Sequence, residues 1–328
     1  MKNHLLFFAL AALFICCTKI DSSHITFAGN IKNNSEELLK VTNYNSTLKQ
    51  EISIDSKGNF SDQVFIEKDG YYFFQVGRSY TTVRFKKGHD VFVNIDASDF
   101  YRSVSYSGDL KKENNYNVAK AQLRANRVGD PKEYFVVPLK EFLPKIEITR
   151  DTLFTILAKS GLGQKDMEIE KKIIEYEYLQ TYNNYQKFYN YHNKVDPVLP
   201  DNYYDPILIM DTDDDELFRH SRAYRNLIIE NFRLSSKREL QHDPSLTIID
   251  FVKDKISDIK SLDIREQFVS MLIRQMKEEN MNIDDDYKKI MSLLSTERMK
   301  EKLRQRYSSA KSTKAGLASV DFNYENFD

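Results

Sequence analysis

The spacing of apolar residues changes once along this chain, near Gly108, and that change limits what it can fold into. From His24 to Gly108 apolar and polar residues alternate, the period of half-buried β-strands, and turn residues recur about every 8–12 positions. Ile52 and Ile54, Phe60, Val64 and Ile66, and Val91, Val93 and Ile95 mark inward faces, and Tyr72–Val76 is apolar on both faces. Asp55-Ser56-Lys57-Gly58-Asn59 reads as a hairpin turn, because Gly and Asn tolerate positive φ. Asp69-Gly70 and Lys86-Lys87-Gly88-His89 read as further turns. About seven or eight short strands at this spacing predict an antiparallel β-sandwich over residues 24–110.

After Gly108 the apolar residues fall at helical spacing. Helices are expected over Asn114–Ala125, Thr152–Lys159 and Asp166–Tyr191, with Gly161-Leu162-Gly163 as a helix stop. Pro131, Pro138 and Pro144 punctuate the stretch between the first two. Asp211–Glu216 opens a helix through Leu217, Tyr224 and Phe232, and Asp243-Pro244-Ser245 starts another. Asp263–Met276, Asp284–Leu294 and Thr296–Tyr307 complete an all-helical region over residues 111–310, packed through one-sided apolar stripes. The fold class is therefore α+β, an N-terminal antiparallel β-sandwich followed by an all-α region.

Ahead of the first strand, Met1-Lys2-Asn3-His4 precedes an apolar run from Leu5 to Ile15 and then Cys16-Cys17. One basic residue and a run too short for a bilayer core of about 30 Å give the layout of a secretory signal. Its end on cysteine predicts a lipoprotein signal over residues 1–17. Cys17 is the expected lipidated residue, with Cys16 the other choice, and residues 18–23 form a tether. Several acyl chains on one residue give the anchoring that a single chain does not. The expected location is the cell envelope, with the membrane as a partner through that lipid. Both cysteines lie in this segment, so an exported protein of this sequence stands on its core without a disulfide. With 48 Lys and Arg against 49 Asp and Glu, it has no basic excess for nucleic acid.

Few residues beyond the signal carry chemistry. The acidic run Asp211–Glu216 lacks the Gly and the final acid of a calcium loop, since Glu216 and Arg222 stand there, and reads as a helix start capped at Asp211 or Asp213. Tyr178, Tyr182, Tyr185 and Tyr189 form one helical stripe and read as packing. Tyr203 and Tyr204, in a loop bounded by Pro200 and Pro206, are the ligand-binding candidates. No His pair at metal-ligand spacing, no Walker loop, no G-x-S-x-G and no G-x-G-x-x-G is present, so no catalytic, metal or cofactor residue is assigned.

Several short motifs resemble the thioredoxin-like (TlpA-type) lipoproteins common in Bacteroidetes. Asp55–Phe60 is similar to their D-x-x-G-x-F turn, Gly70-Tyr71-Tyr72 to G-x-Y, and Gly88–Asp96 to G-x-x-V-x-V-x-I-D. Tyr106-Ser107-Gly108 followed by Asn114-Asn115-Tyr116 looks like their exit into the helices. Ser319-Val320-Asp321-Phe322 resembles the opening of their thioredoxin domain, with Val320 where Pro is usual. On this likeness residues 311–328 are a linker and the truncated start of such a domain. The resemblance implies a thiol–disulfide oxidoreductase whose Cys-x-x-Cys lies beyond Asp328. The chain itself is then a non-catalytic accessory or binding region, whose partner is a protein client or the thioredoxin-like domain. The alternative is a stand-alone surface lipoprotein that binds a glycan, a peptide or a partner protein.

Overall fold

Alternation puts one row of each strand's side chains into a shared interior. In the computed structural model, which describes residues 24–44, 47–275 and 283–312, the strands are β1 (His24–Lys32), β2 (Leu38–Thr42), β3 (Lys49–Ser53), β4 (Asn59–Phe65), β5 (Gly70–Val76), β6 (Ser79–Phe85), β7 (Val91–Asp96) and β8 (Ser105–Gly108). They form two four-stranded sheets, ordered β4-β1-β7-β8 and β3-β2-β5-β6. Phe27 sits where the inner faces meet. Its ring centroid is 5.2 Å from Phe60 of its own sheet, and 5.4 and 5.2 Å from Phe74 and Phe85 of the other. Ile25, Leu39, Val41, Val64, Val83, Val91 and Val93 fill the core around it. Each buried side chain of this size contributes about 1.5–3 kcal/mol.

Two features of the sandwich depart from the sequence reading. β1 pairs with β4 antiparallel but with β7 parallel, from Phe27 opposite Val91 to Lys32 opposite Asp96. Alternation fixes which face is buried and is blind to strand direction. The turn Asp55–Asn59 is not a hairpin, because it carries the chain from β3 in one sheet to β4 in the other. Its local chemistry is as read: Gly58 has φ 81°, and Asp55 Oδ1 accepts from the N–H groups of Lys57 (2.9 Å) and Asn59 (2.7 Å). The tight two-residue hairpin is at Gly77-Arg78, where Val76 pairs with Ser79 and Gly77 has φ 56°. Between β7 and β8 the chain makes a 3-10 turn (Ala97–Asp99) and one helical turn, α1 (Phe100–Ser103).

The helices are α2 (Lys111–Val128), α3 (Pro131–Tyr134), α4 (Leu139–Ala158), α5 (Gln164–Asn193), α6 (Asp205–Leu208), α7 (Asp215–His220), α8 (Arg222–His242), α9 (Ile248–Ser257), α10 (Leu262–Gln275), α11 (Ile283–Ser292) and α12 (Glu297–Ser312). The chain divides into two compact units, Met1–Val118 and Ala119–Asp328, so the division falls inside α2 rather than ahead of it. The first half of α2 belongs with the strands for a physical reason. Leu110 and Val118 pack on the sandwich core, and two asparagines bond its edge strands. Asn114 Oδ1 accepts from Arg84 N–H (2.7 Å) while Asn114 Nδ2 donates to Arg84 C=O (3.2 Å). Asn115 does the same for Tyr106, at 2.8 and 2.9 Å. Arg84 lies on β6 and Tyr106 on β8, an edge of each sheet.

In the second unit α4 begins much earlier than Thr152 and runs through Pro144. Proline removes one helix hydrogen bond, the one to the carbonyl of Lys140. Both residues are exposed, so water can serve that carbonyl. The helix expected from Asp211 to Phe232 is two helices, broken at Ser221, whose Oγ accepts from Tyr224 N–H (3.1 Å). Asp214, not Asp211 or Asp213, caps α7 through Leu217 N–H (2.9 Å). α9 starts at Thr247, which caps Asp250 N–H, rather than at Asp243. α12 continues through Lys311 and Ser312, which the sequence reading assigned to the linker; Lys311 is held to Asp284 at 2.8 Å and lies over the Tyr307 ring. Among the described residues no helix is long and apolar enough to cross a membrane. Cys16, Cys17, the tether and residues 313–328 lie outside the described residues.

Candidate functional site

The long helix α5 has three uses for its faces. One face is a hydrophobic spine of Ile169, Ile173 and Ile174. A second carries the tyrosine stripe into an aromatic cluster. Tyr185 is fully buried, stacks on Phe142 at 4.6 Å and donates to Val137 C=O at 2.9 Å. Burial pushes the Tyr185 hydroxyl up to about 12. Arg150 lies over the Tyr178 ring at 4.9 Å. These tyrosines are packing residues.

The two loop tyrosines have different fates. Tyr203 is 1% exposed and stacks on Tyr182 with centroids 4.4 Å apart. The pair is closed by reciprocal bonds, Tyr203 Oη donating to Tyr182 C=O (2.5 Å) and Tyr182 Oη to Tyr203 C=O (3.0 Å). Burial raises the Tyr203 hydroxyl well above its ordinary range. Tyr203 is therefore a packing residue with no surface for a ligand. Tyr204 is half-buried and donates to Gln186 Oε1. The short helix α6 that follows is fixed to α8 by Asn231, whose Nδ2 donates to Ile207 C=O (2.6 Å) and Leu208 C=O (3.1 Å). Those two bonds hold the end of the tyrosine loop against α8.

The third face of α5 is polar, and with α8 and the tyrosine loop it encloses a cleft of about 1010 Å³, its open mouth included. Gln180, Asn183, Asn184 and Lys187 recur along the α5 wall at spacings of three and four, one face of the helix. Asn226, Glu230 and Arg233 do the same on α8. Asp196 and Tyr204 supply the loop side, and Asp196 accepts from Asn190 Nδ2 at 2.7 Å. Arg233 grips Glu230 with two bonds, Nε at 3.0 Å and Nη2 at 2.5 Å, and that pairing raises the guanidinium further. Gln180, Asn183, Asn184 and Asn226 make no side-chain hydrogen bond to another described residue. Sequence reasoning passed over them. The signal was the amide-rich run Gln180 to Gln186, hidden by the tyrosines between the amides.

The acidic run is wholly engaged in structure. Asp213 accepts from the backbone N–H groups of Lys260 and Ser261, both at 2.9 Å, and Asp215 accepts from Ser261 Oγ at 2.8 Å. These bonds place carboxylates at the start of α10, where the helix dipole favours them. Asp214 also pairs with Lys172 at 2.9 Å. Burial opposes the Asp214 charge, but bonds from Leu217 N–H and Lys172 outweigh it and hold the carboxyl below its ordinary range. Among the described residues no three His, Cys, Asp or Glu side chains converge as metal ligands would.

One buried charge cluster lies between α2 and α5. Lys120 Nζ is 2.8 Å from Glu170 and 3.8 Å from Glu177, and Arg124 binds Glu177 at 2.9 Å. Glu170 is 1% exposed and Lys120 9%. Comparison with protein-family models, with curated proteins and with solved structures finds no match to this chain.

Proposed function

We propose that this chain is a lipid-anchored cell-envelope protein, the non-catalytic accessory region of a thioredoxin-like thiol–disulfide oxidoreductase. The observation that carries the reading is the order of parts: an apolar run ending at Cys16-Cys17, a β-sandwich, then helices. Three of the motif residues behind the resemblance support it through definite jobs. Gly58 adopts the positive φ that the D-x-x-G-x-F turn needs, and Asn114 and Asn115 bond the sheet edges. The role of such a region is to hold and orient a redox domain or to bind its client. Its own chemistry is binding only.

Three measurements test this. Labelling with radioactive palmitate should mark the wild-type protein and Cys16→Ser but not Cys17→Ser, which should also leave the membrane fraction. Label retained by Cys17→Ser would remove the assigned anchor. The purified chain should reduce no disulfide above a no-protein control. The intact mass of the native protein from membranes separates the two readings. An added mass of one domain, roughly 100–150 residues, supports the redox accessory. A mass that stops at Asp328 supports a stand-alone binding lipoprotein, the reading favoured by the polar cleft.

A further inference from the structure

We infer that the cleft between α5 and α8 is a binding site for a short neutral carbohydrate. The inference does not depend on the lipid anchor or on the redox association, since it rests on side chains of the helical unit alone. Gln180, Asn183, Asn184 and Asn226 face the cleft with both amide donors and amide acceptors unengaged. An amide offers two donors and two acceptor positions at one place, which matches the paired donor and acceptor character of sugar hydroxyls. The part of the cleft that a small molecule can fill is about 480 Å³, within the roughly 300–1,000 Å³ typical of small-ligand sites.

The charges lining the cleft narrow the ligand class. Lys187 and Arg233 are balanced by Asp196 and Glu230, and Arg233 is already held by Glu230. An anion therefore meets no free excess of positive charge, and neither phosphate nor nucleic acid is favoured. The walls also argue against a peptide. Strand addition needs a free sheet edge, and these walls are helices whose backbone groups are spent internally. A docked amphipathic helix needs an apolar groove, and a proline-rich segment needs several aromatic ridges. Tyr204 is the single aromatic side chain of this lining, and its hydroxyl is fixed by Gln186. One positioned ring among amides suits a sugar, whose apolar face lies on the ring while its hydroxyls meet the amides.

The test uses the full chain, titrated calorimetrically with neutral oligosaccharides of glucose, mannose, xylose and N-acetylhexosamine. A neutral Gly-Ser peptide of similar length is the control. At least one oligosaccharide should bind and the peptide should not. Affinity should change less than about twofold between low and high salt, since no ion pair is formed. Asn183→Ala combined with Asn226→Ala should weaken binding at least about tenfold, the loss of one or two hydrogen bonds. Neither residue is buried, so the variant should keep its melting temperature, which shows that lost binding is not lost folding. No binding of any of these sugars at about 10 mM would overturn the inference. So would binding that the double variant leaves unchanged, or binding of the peptide in place of the sugars.

Discussion

Asn114 serves Arg84 as a neighbouring strand would, accepting from its N–H at 2.7 Å and donating to its C=O at 3.2 Å. One residue later Asn115 repeats the arrangement on Tyr106 of the opposite sheet. Edge strands expose unpaired backbone groups, and here a helix end closes an edge of each sheet with one side chain apiece. Asn114→Ala should destabilise the sandwich by about 1–3 kcal/mol, because it strands two backbone groups of Arg84. Asn115 is exposed, so water can replace it and Asn115→Ala should cost less. Urea midpoints at constant slope check the order. Equal losses would mean that the bonds themselves are not what stabilises the edge.

Gly29 and Gly88 should respond unequally to the same substitution. A Cβ at Gly29 would overlap the carbonyl oxygen of Val93, its partner across the parallel pair. Backbone must then move, and Gly29→Ala should cost more than about 3 kcal/mol, beyond an ordinary overpacking penalty. Gly88 has φ 72° and open space around it, so Gly88→Ala should cost only the left-handed strain of about 1–2 kcal/mol. Circular dichroism during urea unfolding separates the two.

Lys120 neutralises Glu170 inside the helical unit, and removing one charge strands the other. Lys120→Met should cost about 3–5 kcal/mol, and adding Glu170→Leu should recover much of it. Burial works against the Lys120 charge, but the attraction of Glu170 and Glu177 outweighs it and leaves the ammonium above its ordinary range. The pair's stabilisation is therefore complete below the unfolded lysine value, about 10.4, and is lost as pH rises through the higher folded value. The gap between wild type and Lys120→Met should stay flat from neutral pH to about pH 10 and narrow above it.

Asp214 gives the opposite pH dependence. Asp214→Ala removes the α7 cap and should cost about 0.5–2 kcal/mol at neutral pH. Its carboxyl is held low when folded, so this contribution is present above the unfolded value, about 3.9, and fades as pH falls through the folded one. Asp213→Ala should also destabilise, by freeing the N–H groups of Lys260 and Ser261. Thermal melts of Asp214→Ala from pH 7 down to about pH 2 should converge on wild type at the acid end, and a melt at neutral pH checks Asp213→Ala.

Much of the architecture was legible because periodicity is a direct imprint of burial. The inward residues of β3, β4 and β7 sit where alternation put them, and Tyr185 is buried as the stripe required. What stayed illegible depended on partners far away in sequence. The direction of β7 against β1 follows from the path of the whole chain. Asp214 became the α7 cap while Asp213 was taken by Lys260 and Ser261. Pro144 looked like a helix end, yet its lost bond falls on an exposed carbonyl. At the cleft, Tyr204 was within reach of sequence reasoning, whereas the amides of α5 and α8 gain meaning only when the two helices face each other.

The place of β1 has a mechanical consequence. It is an inner strand of its sheet, held over seven register pairs with β4 and six with β7. A load on the chain ahead of His24 runs along this strand. It must shear both ladders together rather than unzip them one bond at a time. The sandwich thus meets traction at its front end with its most resistant geometry.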